Sequence, residues 1–307
     1  YTNLNIATGR ESGIVDVDLD CPETIMLADY FLPKTEFEFG RESTPRAHRL
    51  FKVIDLTLKH TRSYCSFSDE KKAMLVEVRA NKHYTMCWGQ YDNQEKVVWT
   101  NSGLPTEITW ESLNKAVALL GVASVILRKY AKEGLRNEYI RKMVATLWQH
   151  KLEKSDAEKI IKAVTVCAND NTEERLARVA DVYKRDKSDQ LQGLPSLASE
   201  FNWNNDEVKD FKKLLFKITG RDVVPEFTHE FVNRIAYMMK QKKYYDLEDK
   251  EMYDAEAIDV KYAKYFPNYT PLKWWKMHRD SKVCVDFTYK PNDKNRFVHV
   301  NKKLMIN

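Results

Sequence analysis

Three aspartates at alternate positions are the feature of this chain with the clearest chemical meaning. They are Asp16, Asp18 and Asp20, in the strand-like run 13–20. Because side chains of a strand alternate between its faces, the carboxylates are predicted to project from one face and the apolar residues between them from the other. Like charges at this spacing repel, so a compensating cation is expected, and Mg²⁺ or Mn²⁺ fits oxygen ligands best. The alternative is the solvated outer face of an antiparallel sheet.

A second segment, 40–52, concentrates basic side chains where a loop enters a strand. In a regular strand Arg46 and His48 share one face. This pair suits a triphosphate, because a guanidinium binds phosphate oxygens through a two-pronged contact and an imidazole donates one directed hydrogen bond. The alternative is a solvated basic edge strand. The basic residues of the segment are Arg41, Arg46, His48, Arg49 and Lys52.

A third strand-like segment, 74–79, places Glu77 and Arg79 on one face. Beside the aspartates, Glu77 would complete a metal-binding carboxylate set, and Arg79 would offset charge or contact phosphate. Alone, the two residues would form no more than a cross-strand ion pair.

Together the three segments favour a two-metal site for nucleotidyl transfer, in which carboxylates hold the ions and basic groups hold the triphosphate. The same aspartate spacing occurs in metal-dependent nucleases and glycosyltransferases, so the aspartates alone do not define the reaction. The sequence contains no Gly-x-x-x-x-Gly-Lys-Ser/Thr phosphate loop, no Gly-x-Ser-x-Gly elbow and no His-Glu-x-x-His zinc helix.

Composition indicates an ordinary globular protein. The chain has 307 residues, a net charge of +5 and five cysteines. The mildly basic charge is compatible with a polyanionic partner. Because the cysteines are odd in number and lack metal-ligand spacing, we expect a reducing cytoplasm. No apolar run of the ~20 residues that cross a bilayer is recognised, so no membrane partner is predicted.

Hydrophobic periodicity divides the chain into three predicted regions with α+β character. Residues 1–108 alternate as strands and loops. Residues 109–201 have helical periodicity, with Thr109 and Asn171 as N-caps. Residues 202–307 are a charge-dense mixed segment, with a strand-like stretch at 282–289. The helices are predicted at 109–127, 137–150, 156–168, 172–185, 197–201, 206–218 and 228–241.

The order of these motifs resembles the bifunctional primase–polymerase domain of the archaeo-eukaryotic primase superfamily, in the version carried by plasmids, phages and integrated elements. The resemblance rests on the segments 12–23, 39–50 and 75–80 and covers roughly the first 110 residues. It implies an RRM-like catalytic sheet domain, followed by a helical domain. One departure is that residues 87–90 read Cys-Trp-Gly-Gln where many relatives have a Pro-Pro-Ser segment.

The resemblance also assigns roles to single residues. Asp18 and Asp20 match the Asp-x-Asp metal motif, which makes Asp16 an accessory ligand, and Glu77 is the third acidic residue. His48 matches the nucleotide-binding histidine. The residues expected to help it hold the triphosphate are Arg46, Arg49 and Arg79.

The resulting expectation is a DNA-dependent primase–polymerase that uses two Mg²⁺ or Mn²⁺ ions, an NTP or dNTP and a single-stranded DNA template. It would be a cytoplasmic prokaryotic protein encoded by a mobile element. A part of the catalytic sheet is expected before Tyr1, and a superfamily-three-type helicase module after the last residue. The alternatives are a non-catalytic replication-initiator module that binds DNA, and a metal-dependent nuclease.

Overall fold

The computed structural model describes two compact units, Tyr1–Asp222 and Val223–Asn307. In the first, the described residues are 3–68, 73–92, 94–185 and 191–219. In the second, they are 231, 234–238, 241–263, 270–272, 275 and 282–284. Each unit combines helices with largely antiparallel sheets, so the predicted α+β class is confirmed.

A seven-stranded sheet organises the first unit. Its main path runs β5-β6-β2-β4-β3-β8 with antiparallel neighbours, and the short β9 pairs in parallel with β4. Two further strands, β1 and β7, form an antiparallel ribbon. The strands are β1 (Leu4–Thr8), β2 (Ile14–Leu19), β3 (Phe37–Arg41), β4 (Thr44–Val53), β5 (Arg62–Ser66), β6 (Met74–Arg79), β7 (His83–Trp88), β8 (Val97–Ser102) and β9 (Thr106–Ile108).

Helices cover one face of the sheet and share a single hydrophobic core with it. Val15, Val17 and Leu19 of β2 are buried in this core, whereas the aspartates between them face the other side of the sheet. Thr109 and Asn171 cap helices as predicted, each accepting a hydrogen bond from a backbone N–H of the first turn. The helices are α1 (Pro22–Phe31), α2 (Trp110–Arg128), α3 (Arg136–Gln149), α4 (Lys154–Cys167), α5 (Thr172–Tyr183), α6 (Leu194–Glu200) and α7 (Asn205–Thr219).

The unit boundaries differ from the predicted boundaries after residues 108 and 201. Both the sheet and the helices up to α7 belong to the first unit, because α2 packs on β5 and β6 and α7 packs on α2. Helix α2 is apolar on several sides, so it needs the sheet on one side and α7 on another to exclude water. The helical region is therefore the second layer of the same core.

Helix α2 is also long and apolar enough to cross a membrane, the one such helix among the described residues. Its most apolar window is 67% buried inside the protein. A helix in the middle of a core has this composition as well, since it is apolar on every side. The polar residues Glu111, Asn114 and Lys115 near its start interrupt the apolar run, which explains why no membrane-spanning stretch was recognised in the sequence.

The second unit contains a four-stranded sheet in the order β12-β11-β10-β13. Its elements are β10 (Ile235–Met238), β11 (Lys243–Asp246), β12 (Glu251–Tyr253), α8 (Ala255–Tyr262) and β13 (Lys282–Cys284). Within the helix predicted over 228–241, Phe231 and Arg234 are helical, but the prediction is wrong for 235–238, which form β10 and pair with β11 and β13. The predicted strand at 282–289 is confirmed for β13, and its remainder lies outside the described residues.

Candidate metal centre

The register of three neighbouring strands brings together the carboxylates predicted from the sequence. Asp18 of β2 lies directly opposite Glu77 of β6, and Asp20 follows immediately after β2. One ligand atom from each of these three side chains lies within 4.8 Å of the others. Asp18 and Glu77 are buried, with 9% and 6% of their surfaces exposed. The structure thus forms a compact acidic group, termed here the acidic triad.

Asp16 is not one of the three carboxylates of the acidic triad, so its part as an accessory metal ligand stays a prediction. Its carboxylate instead binds the imidazole of His48, with Oδ2 3.0 Å from Nδ1. His48 lies opposite Asp18 on β4, so the acidic triad and the histidine share one face. Because Nδ1 donates to Asp16, the other ring nitrogen, Nε2, is available for a second hydrogen bond. No described residue forms a hydrogen bond with Nε2.

Burial and the neighbouring charges shift the titration of these groups. Burial raises the pKa of Asp18 to about 6, Asp16 adds to this effect, and His48 and Arg79 oppose it. Burial disfavours the charged form of His48, yet the charge and hydrogen bond of Asp16 raise the pKa of this histidine above its ordinary value. The rise for Asp18 is mainly an effect of burial, whereas the rise for His48 reflects the negative charge of the aspartates beside it.

Two arginines partly compensate the charge of the acidic triad. Arg79 of β6 donates from Nη2 to Asp18 Oδ2 at 2.5 Å and from Nε to Glu77 Oε2 at 3.1 Å. Arg62 of β5 forms an ion pair with the other oxygen of Glu77. Arg79 therefore lies on the face predicted for it, but in contact with the carboxylates. A metal ion would have to share these oxygens with Arg79 or displace its guanidinium.

Arg46 and Arg49 do not join His48, so the prediction that Arg46 and His48 share a face is wrong. Arg46 donates two hydrogen bonds of 2.8 Å to Asp29 of α1 and one of 3.0 Å to Glu38. Arg49 is 1% exposed and donates to the same Asp29 at 2.7 Å. Both guanidiniums therefore lie on the helix side of the sheet, where carboxylates already bind them.

A bulge in β4 explains why Arg46 does not share the face of His48. Arg41 pairs with Thr44 and Phe39 pairs with His48, so three residues of β4, at 45–47, oppose Gly40 alone. The extra residues break the two-residue alternation and carry Arg46 to the helix side. A Cβ on Gly40 would lie only 2.0 Å from the carbonyl oxygen of Thr44. The missing side chain of Gly40 thus makes room for the bulge.

An aromatic group beside His48 was not predicted as part of the site. The Phe39 ring stacks on the His48 imidazole with a centroid distance of 4.8 Å, and Trp99 of β8 contacts Phe39 at the same centroid distance. Trp99 also donates from Nε1 to the carbonyl oxygen of Cys87 at 2.8 Å, which ties β8 to β7. The alternation of Phe37, Phe39 and Arg41 in the sequence was the signal that could have identified this face.

The donor set of the acidic triad fits a hard divalent cation. It consists of carboxylate oxygens, the ligands preferred by Mg²⁺ and Mn²⁺, and lacks the sulfur and nitrogen ligands that favour Zn²⁺. The three carboxylates, of which Asp18 and Glu77 are buried and Asp20 is half-buried, carry one more formal charge than Arg62 and Arg79 together, which leaves room for added positive charge. The acidic triad can therefore hold a metal ion.

Comparison of the chain with protein-family models, with curated proteins and with solved structures gave no match.

Proposed function

We propose that the chain is a primase–polymerase that joins nucleotides on a single-stranded DNA template by two-metal nucleotidyl transfer. The observation that carries this proposal is the register of Asp18 with both His48 and Glu77. It gathers a carboxylate set for metal and a hydrogen-bond donor for phosphate on one face of a sheet. The motif order of the primase superfamily supports the same function, and the antiparallel sheet with helices on one face is compatible with its RRM-like catalytic domain.

In this proposal Asp18, Asp20 and Glu77 supply the oxygens that hold two Mg²⁺ or Mn²⁺ ions. When bound, such ions lower the pKa of an attacking 3′-hydroxyl and neutralise the departing pyrophosphate. Asp16 orients the imidazole of His48 and favours its charged form, in which Nε2 donates to the triphosphate of an NTP or dNTP. Arg79 compensates the carboxylates until the ions and nucleotide bind. A helicase module joined to the C-terminal end of this chain would be the natural replication partner.

A primer-synthesis assay tests the function. The protein is incubated with a single-stranded DNA template, labelled nucleotides and Mn²⁺ or Mg²⁺, and the products are resolved on a denaturing gel. We expect labelled oligonucleotides whose yield falls more than about a hundredfold in Asp18→Ala, because charge stabilisation worth several kcal/mol is lost. Glu107→Gln, which removes a surface carboxylate paired with Lys52, is the matched control and retains activity.

Two other results would contradict the proposal. Shortening of the template without new oligonucleotides would indicate a metal-dependent nuclease. Template binding without any product, unchanged by Asp18→Ala, would indicate a DNA-binding module that has no catalytic site.

A further inference from the structure

Arg41 differs from the other arginines near the acidic triad in its charge partners. Arg62 and Arg79 form ion pairs with carboxylates of the triad, and Arg46 and Arg49 form them with Asp29. Among the residues that the structure describes, no carboxylate forms an ion pair with Arg41; its recorded side-chain contact is with an aromatic ring. The N–H groups of the Arg41 guanidinium are thus available to donate hydrogen bonds to a ligand.

The position of Arg41 places it on the same face as His48. Arg41 is the last residue of β3, and residues 37, 39 and 41 of this strand alternate with those that face the helices. Phe39 stacks on His48, and Arg41 follows Phe39 by two residues, about 7 Å along the strand. On the helix-facing side, Glu38 instead binds Arg46. Arg41 and His48 therefore project from the same face of the sheet.

Tyr91 holds the guanidinium of Arg41 in this position. The Cζ atom of Arg41 lies 4.9 Å from the centroid of the Tyr91 ring. Tyr91 belongs to the β7–β8 hairpin, which is closed by a 2.9 Å hydrogen bond from its backbone N–H to the carbonyl oxygen of Glu95. Burial raises the pKa of Tyr91, and the charges of Asp18 and Asp16 contribute to the rise. The tyrosine thus lies within electrostatic range of Asp18 and Asp16.

We propose that Arg41, held by Tyr91, forms with His48 the subsite that binds the polyphosphate chain of the incoming nucleoside triphosphate. Two separate features support this subsite: among the described residues, the guanidinium of Arg41 has no carboxylate partner and Nε2 of His48 has no hydrogen-bond partner, and both groups lie on one face of the sheet. A guanidinium forks onto phosphate oxygens, and an imidazole donates one directed hydrogen bond. Arg41 takes the part that the sequence pattern had assigned to Arg46 and Arg49.

Tyr91 is a positioning residue in this subsite. Its ring attracts the guanidinium through the cation–π interaction and limits the conformations that Arg41 adopts before the ligand binds. The phenol oxygen has no part in the contact, so Tyr91→Phe preserves it and Tyr91→Leu removes it. This pair of variants separates the ring from the hydroxyl group.

The inference rests on the proposed function, and a binding experiment tests it separately from catalysis. Isothermal titration calorimetry in Mg²⁺ measures the affinity of the full chain for dATP and for inorganic tripolyphosphate. We expect Arg41→Ala to weaken both ligands by the same factor, about ten- to a hundredfold, the equivalent of a lost charge-assisted hydrogen bond. Arg41→Lys, which keeps the charge without the fork, should lose less. Lys115→Ala, a surface cation paired with Asp156, is the matched control and binds like the wild type.

Tyr91→Phe should bind both ligands like the wild type, and Tyr91→Leu should weaken them several-fold, with a raised KM and little change in kcat. Circular dichroism melts confirm that each variant is folded. If Arg41→Ala binds tripolyphosphate as tightly as the wild type while the wild type makes primers, the subsite is overturned and the proposed function stands. If the wild type binds neither ligand and makes no primers, both proposals fail.

Discussion

The imidazole Nδ1 of His48 lies 3.0 Å from Oδ2 of Asp16, and both side chains are buried. The contact shows that Asp16 binds a histidine, a role that its place in the aspartate series did not predict. The first and second aspartates of the series face the same side of β2, yet Asp16 binds the histidine and Asp18 belongs to the acidic triad. A series that looks uniform in the sequence therefore serves two purposes.

The Asp16 contact predicts a measurable change in His48. In Asp16→Asn the negative charge is lost while the burial that disfavours the imidazolium remains, so the pKa of His48 should fall below its wild-type value. NMR titration of the imidazole C–H signals measures this pKa. Glu107→Gln, far from this contact on β9, should leave the pKa of His48 unchanged. An unchanged pKa in Asp16→Asn would show that Asp16 does not hold the histidine charge.

The bulge in β4 depends on the missing side chain of Gly40. In Gly40→Ala the new Cβ would collide with the backbone of β4 at Thr44, and relieving the overlap should cost about 1–3 kcal/mol of the free energy of unfolding. Urea denaturation measures this loss. Gly134→Ala is a control for backbone strain alone, because Gly134 has φ +88° and nothing within 4 Å of an added Cβ. Equal stability of Gly40→Ala and the wild type would contradict the described bulge.

The fold and the site were predictable to different extents, and β4 shows why. The positions of α2 to α7 followed from apolar periodicity and from caps such as Thr109, which are local signals, whereas α1 was not predicted. The acidic triad could be predicted because β2 and β6 are regular, so alternation fixes the faces of Asp18 and Glu77. The face of Arg46 could not be predicted, since the bulge opposite Gly40 depends on how two strands pair, and pairing is a tertiary property.

Two other differences between the sequence pattern and the structure also arise from tertiary context. The stretch 235–238 has residues that suit a helix in isolation, but it pairs with β11 and forms a strand. The boundary expected after residue 108 followed a change of periodicity from strand to helix. That change marks the junction between two layers of one core, and periodicity alone does not show which layers pack together.

A buried ion pair at the end of α4 predicts how stability depends on pH. Burial alone would raise the pKa of Asp170, but hydrogen bonds from Arg175 and Tyr130 lower it to about 2. A lowered folded-state pKa contributes stability that is complete above the unfolded-state value near 4 and is lost as the pH falls toward 2. The contribution at neutral pH is about 2 kcal/mol.

Asp170→Asn removes this titration and so provides the measurement. Urea unfolding of the wild type and Asp170→Asn should differ by about 2 kcal/mol from pH 7 down to about pH 5, and the difference should shrink below about pH 4. Asp181→Asn, on an exposed part of α5, should behave like the wild type throughout. A difference that is constant down to pH 2 would show that Asp170 is not held in its charged form by Arg175.

The most direct test of the central claim is an anomalous difference map from crystals of the protein grown with Mn²⁺ and dATP. We predict two manganese peaks at the acidic triad, about 2.0–2.3 Å from carboxylate oxygens of Asp18, Asp20 and Glu77, with the Arg79 guanidinium moved away from Asp18. A map without manganese at these carboxylates, in which Arg79 still binds Asp18 and Glu77, would contradict the metal centre and the nucleotidyl transfer that depends on it.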